Sequence, residues 1–124
     1  MNIIDGIQFS NSNESVIFNY YSWVELIKAI IVKYANKTES EAERIVLASP
    51  LVRIKENDYM SVALRSHESE YHWAMLIAYG DQYWTKGVSP DEPDGYFEWE
   101  KEYRKKIIWQ KIILFLVIKL NKKI

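Results

Sequence analysis

The chain contains no cysteine, which excludes disulfides, thiol catalysis and cysteine-ligated zinc or iron–sulfur sites. Glycine and proline are sparse, with four and three in 124 residues. Neither a Gly-rich phosphate loop nor a Gly-x-Ser-x-Gly nucleophile elbow can be assembled from glycines so placed. Histidine is limited to His67 and His72. No stretch supplies the roughly 20 apolar residues of a membrane span. The first ten residues lack a basic segment leading into an apolar run, so a cytoplasmic protein is expected.

What is present is core-forming material. Hydrophobic residues make up 48% of the chain and aromatics 15%, in a mass of 14.7 kDa, which suits one domain over residues 1–124. The expected fold is all-α, a compact bundle of four to five helices with an irregular N-terminal arm over the first nineteen residues. In that arm two apolar patches, residues 7–9 and 16–18, flank the turn-rich Ser10-Asn11-Ser12-Asn13. A short hairpin is the alternative to an extended arm there.

Helix punctuation is clearer further on. Ser22-Trp23-Val24-Glu25 has the form of a capping box. Behind it, Trp23, Leu26, Ile27, Ile30, Ile31 and Tyr34 fall on one helical stripe. Thr38-Glu39-Ser40-Glu41 is a second capping box, opening a helix that buries Ala42, Ile45 and Val46 and ends near Ser49-Pro50. Asn57 or Asp58 caps a short turn with Tyr59, Met60 and Ala63. A central helix is expected from about Ser66 to Tyr79, apolar all round in its second half and stopping at Gly80 or continuing through Trp84. After a loop over residues 86–95, a last helix runs from about Tyr96 to Lys119, with Glu100–Arg104 and Glu102–Lys106 as i,i+4 pairs. The apolar run at residues 112–118 reads as a buried helix end. The alternative is a helix lying on an anionic membrane through Trp109 and the flanking lysines.

Catalytic motifs find little support. His67, Glu68 and His72 suggest a zinc hydrolase by residue type, but the histidines lie about 140° apart around a helix. Glu68 and His72 share a face on that reading, and a third ligand must come from elsewhere. A structural role is preferred, with no catalytic residue, metal or cofactor expected. A metal-dependent hydrolase at His67, Glu68 and His72 is an alternative.

The formal charge of -1 conceals segregation. Residues 81–100 carry six acids and one base, a net of -5, and residues 101–124 carry eight bases and one acid, a net of +7. Residues 1–80 supply -3 from ten acids and seven bases. Acids early and bases late in the last helix complement its dipole. That leaves unexplained Asp91, Glu92 and Asp94 in the preceding loop, beside Tyr83, Trp84, Tyr96, Phe97 and Trp99. Carboxylates among large aromatics suit a basic protein partner. The candidate partner-binding residues are Asp91, Glu92, Asp94, Tyr96, Glu98 and Trp99. A helical DNA-binding regulator using Lys101, Arg104, Lys105, Lys106 and Lys111 is a further alternative, disfavoured by the acidic start of the same helix.

A single cysteine-free domain without catalytic motifs, the acidic and aromatic stretch at residues 81–100, and a usage of 16 Ile, 12 Lys, 7 Asn and 9 Tyr that suggests an AT-rich gene together carry a resemblance. The chain resembles the immunity proteins of bacterial contact-dependent growth inhibition systems. That likeness implies a cytoplasmic, non-enzymatic protein that binds one cognate toxin domain 1:1 and occludes its active site. The toxin is commonly an RNase acting on tRNA, and the immunity protein itself contacts no nucleic acid. These proteins share no motif, so the six candidate residues come from the charge pattern alone.

Overall fold

In the computed structural model the chain divides into two compact units, residues 1–92 and 93–124. The structure describes residues 2–55 and 58–122, apart from the side chains of His67 and Lys122.

The first unit opens with a β-hairpin where an irregular arm was expected. Strand β1 (Ile7–Ser10) pairs antiparallel with β2 (Ser15–Phe18), in a register that sets Ile7 against Phe18 and Phe9 against Val16. Asn11 closes the connection, its Oδ1 accepting the N–H groups of Asn13 (2.8 Å) and Glu14 (2.7 Å). Asparagine suits this role because its side-chain oxygen mimics a turn carbonyl. Period-two alternation turns Phe9 and Phe18 inward, and both are buried, with ring centroids 6.4 Å apart. Phe18 also meets Tyr20 and Trp23 at 5.6 and 5.7 Å. The hairpin is thereby tied to the first turn of the next helix.

Helix α1 (Tyr20–Tyr34) is the spine of this unit and packs against α2 (Glu39–Ala48) and α4 (Glu70–Tyr79). Its expected stripe is confirmed from Trp23 to Ile31, all buried, with Tyr34 half-buried. Its N-terminus differs from the capping box. The helix starts at Tyr20, and Ser22 lies within the first turn. Asp5, not Glu25, serves Ser22, accepting its N–H (2.8 Å) and its hydroxyl (2.6 Å). Glu25 instead pairs with Lys28 at 2.8 Å.

Helix α2 is capped as expected, Thr38 accepting the Glu41 N–H at 3.1 Å, and buries Ala42 and Val46. Helix α3 (Tyr59–His67) is capped by Asp58, which accepts the Ser61 N–H at 3.1 Å, and packs against the hairpin. The expected helix from Ser66 to Tyr79 is two elements. Helix α3 ends at His67, Glu68 takes an extended conformation (φ -113°, ψ 150°), and Ser69 caps α4 by accepting the His72 N–H at 3.2 Å. Ser69 caps because its short hydroxyl reaches an orphan N–H of the first turn. Gly80 then stops α4 at φ +90°, a value that favours a residue without a Cβ.

The second unit is built on α5 (Tyr96–Lys122), 27 residues or about 40 Å long. Its start is set by Gly95 at φ +81° and by Tyr96 N–H donating to the Pro93 carbonyl at 3.0 Å. The rings of Tyr96, Trp99 and Tyr103 form a ladder, with centroids 6.0 and 5.4 Å apart, and Lys106 Nζ stands 5.6 Å from the Tyr103 ring. Tyr96 and Ile107 are buried. Beyond Ile107 the expected burial of the helix end is overturned, since every residue from 108 to 121 is exposed. The chain is therefore mainly helical but not strictly all-α.

Candidate functional site

The acidic and aromatic stretch falls at the end of the first unit and the start of the second. In the first unit, Gln82 in the left-handed region (φ 56°) and Gly87 at φ +91° bracket a 3₁₀ turn, Tyr83–Lys86. Tyr83 is fully buried, and its hydroxyl lies 2.9 Å from Nδ1 of His72. The His72 ring also packs beside Tyr83 and Trp84 at 5.7 and 6.4 Å. Burial, followed by the negative charge of Glu68, raises the Tyr83 pKa, so at neutral pH the hydroxyl keeps its proton. Trp84 remains 47% exposed. Ser89 Oγ accepts the Asp91 N–H at 3.1 Å, and Asp91 and Glu92 both project into solvent.

In the second unit, Asp94 and Glu98 are exposed, Trp99 is half-buried and Tyr96 is buried. The sequence pattern places Tyr96 among the partner-binding candidates. In this conformation its ring is enclosed, and the large exposed ring of the first turn is Phe97, at 68%. Phe97 is not among the six candidates. The signal that separates it from Tyr96 is helical phase, since Tyr96, Trp99, Tyr103 and Ile107 follow spacings 0, 3, 7 and 11 and Phe97 does not.

The charges of α5 sort into two sets. Glu100 pairs with Arg104 at 3.0 Å, as expected. Glu102 pairs with Lys105 at i,i+3, also at 3.0 Å, in place of the expected Lys106, which lies against the Tyr103 ring instead. No ion pair engages Asp91, Glu92, Asp94 or Glu98 among the described residues. The structure thus separates acids that hold the helix together from acids left facing water.

The hydrolase alternative loses its geometric premise. Glu68 caps α3 and His72 lies in the first turn of α4, so they do not share the face of one helix, and the His67 side chain lies outside the described residues. Among the described residues no group of three or more His, Asp or Glu is placed to hold a metal ion. No helix among them is long and apolar enough to cross a membrane.

No protein-family model, no curated protein and no solved structure matches this chain.

Proposed function

We propose that the chain is a cytoplasmic immunity protein that binds one bacterial toxin domain 1:1 and blocks its active site, the toxin being a ribonuclease that acts on tRNA. The observation that carries this reading is that Asp91 and Glu92 at the end of the first unit, and Asp94 and Glu98 in the second, are exposed and engage in no ion pair among the described residues, the second unit also presenting exposed Phe97 and half-buried Trp99. A nuclease must present a basic cleft to its polyanionic substrate. Carboxylates without internal partners complement such a cleft, steering encounter and excluding the substrate by occupying its phosphate sites. Phe97 and Trp99 supply the apolar contact area that gives an interface its lasting affinity. The acids at the start of α5 also favour its dipole, but Asp91 and Glu92 precede the helix and gain nothing comparable.

Neutralisation on this account is stoichiometric. The chain contributes no nucleophile, general acid or base, and no cofactor. Co-expression with the toxin domain that this reading expects beside its gene tests it. Growth is restored by the wild-type chain and lost when Asp91, Glu92, Asp94 and Glu98 are reversed to lysine. Full protection by the reversed chain would remove this surface from the interface.

A further inference from the structure

The C-terminal half of α5 presents a surface that the toxin-binding reading does not use. Ten large apolar side chains between residues 108 and 120 are each 42% to 63% exposed. Proteins that act alone in water rarely expose a contiguous apolar patch larger than a few hundred Å². The segment has a direction around its axis. At about 100° per residue, Arg104, Lys111 and Lys119 fall within an arc of about 80°. Opposite them Trp109, Ile113, Leu116, Val117 and Leu120 form a continuous apolar stripe. Ile108 and Phe115 lie within that basic arc and Ile112 and Ile118 flank it, with Lys119 Nζ 4.7 Å from the Phe115 ring centroid.

Charge decides what can cover this face. After Glu102 the chain contains no acid, while Arg104, Lys105, Lys106, Lys111, Lys119, Lys122 and Lys123 remain. Pairing residues 108–120 of two copies through the apolar stripe, parallel or antiparallel, offers no carboxylate to Lys111 or Lys119 and leaves Ile108, Ile112 and Phe115, on the basic side, in water. A protein groove would cover one stripe and leave the apolar residues beside the lysines in water. A bilayer interface covers a wider arc, because lysine stems can lie along acyl chains while their ammonium groups reach the headgroups. Trp109 is the residue type enriched at that depth.

We propose that residues 108–120 of α5 dock in the plane of an anionic lipid surface. Trp109, Ile113, Leu116, Val117 and Leu120 enter the headgroup–acyl boundary, and Lys111 and Lys119 reach the lipid phosphates. The segment lies on the membrane and does not cross it. Membrane contact would hold the protein at the leaflet where an incoming toxin domain first appears, but the docking itself does not depend on the toxin reading.

Flotation of the full chain with vesicles tests this directly. Co-flotation is expected with vesicles of phosphatidylglycerol and phosphatidylethanolamine and not with phosphatidylcholine alone, and it should weaken as salt is raised. Lys111→Glu with Lys119→Glu, and separately Leu116→Gln with Leu120→Gln, should each reduce binding at least tenfold. All four positions are exposed, so folding should be retained, as circular dichroism would check. Absence of co-flotation, equal binding to both lipid compositions, or unchanged binding by both double variants would overturn the proposal. Sedimentation showing a lipid-free dimer that Leu116→Gln with Leu120→Gln dissociates would overturn it in favour of a second copy.

Discussion

The carboxylate of Asp5 caps helix α1 from outside, taking the backbone N–H of Ser22 at 2.8 Å on one oxygen and its hydroxyl at 2.6 Å on the other. A carboxylate at a helix N-terminus both satisfies orphan N–H groups and meets the positive end of the dipole. Seventeen residues separate the partners, so this bond also fixes the segment preceding the hairpin against the spine of the first unit. Asp5→Ala should cost about 1–2 kcal/mol. Ser22→Ala, which keeps the backbone N–H, should cost less. Urea unfolding of the two variants checks the order.

Arg65 is the one charged side chain found buried among the described residues. It donates Nε and Nη2 to the Leu51 carbonyl at 3.0 and 2.6 Å, and Nη1 to the carbonyl and hydroxyl of Ser61. Its guanidinium also stands 5.8 Å from the Trp73 ring. Arg65→Met removes a charge-assisted network and leaves part-buried acceptors on Leu51 and Ser61 unmet, so a loss of about 2–3 kcal/mol is expected. Arg65→Lys should lose nearly as much, because a single ammonium cannot reproduce the planar fork. Thermal and urea unfolding would show both.

Burial raises the pKa values of Tyr20, Tyr71 and Tyr83 above the usual 10.0. A raised tyrosine pKa means that the folded chain keeps its protons while the unfolded chain loses them. The contribution to stability is complete below pH 10 and declines as pH rises above it. Spectrophotometric titration should therefore show these three hydroxyls ionising late, together with unfolding. Stability independent of pH above 10 would contradict the assignment of all three as buried.

Glu100 and Glu102 serve as internal controls for the charge argument. Both are paired within α5, and exposed i,i+3 and i,i+4 pairs contribute only about 0.3–0.5 kcal/mol. Glu100→Gln with Glu102→Gln should lower stability by less than about 1 kcal/mol and leave toxin affinity within a few-fold. A large loss of binding would show that the paired acids belong to the interface as well.

Local signals were legible where one element carries them whole. The stripe from Trp23 to Ile31 and the Thr38 cap each depend on residues within a few positions of one another, whereas the Asp58 cap and the stop at Gly80 are each one of two alternatives that the sequence leaves open. The capping-box expectation at Ser22 fails because its partner is distant, and a capping box is indistinguishable by pattern from a serine bonded to Asp5. Two four-residue strands gave too little alternation to outweigh an extended arm, and Asn11 is what makes their turn. The break at Glu68 was hidden because helix-forming residues continue on both sides of it, whereas Ser69 as a cap decides the geometry. Apolar character predicted burial for residues 112–118, yet hydrophobicity does not say whether the cover is the same chain or something else. In the candidate site the charge segregation was visible in the sequence. Which acids are already paired, and that Tyr96 is buried while Phe97 is exposed, required the structure.

The most direct test of the toxin-binding account is calorimetric titration of the chain with a catalytically inactive form of the toxin domain that the account expects to be encoded beside its gene. The account predicts a 1:1 complex whose affinity falls at least a hundredfold when Asp91, Glu92, Asp94 and Glu98 are reversed to lysine, with circular dichroism unchanged. Equal affinity of the reversed chain, or no complex with the wild type, would contradict it.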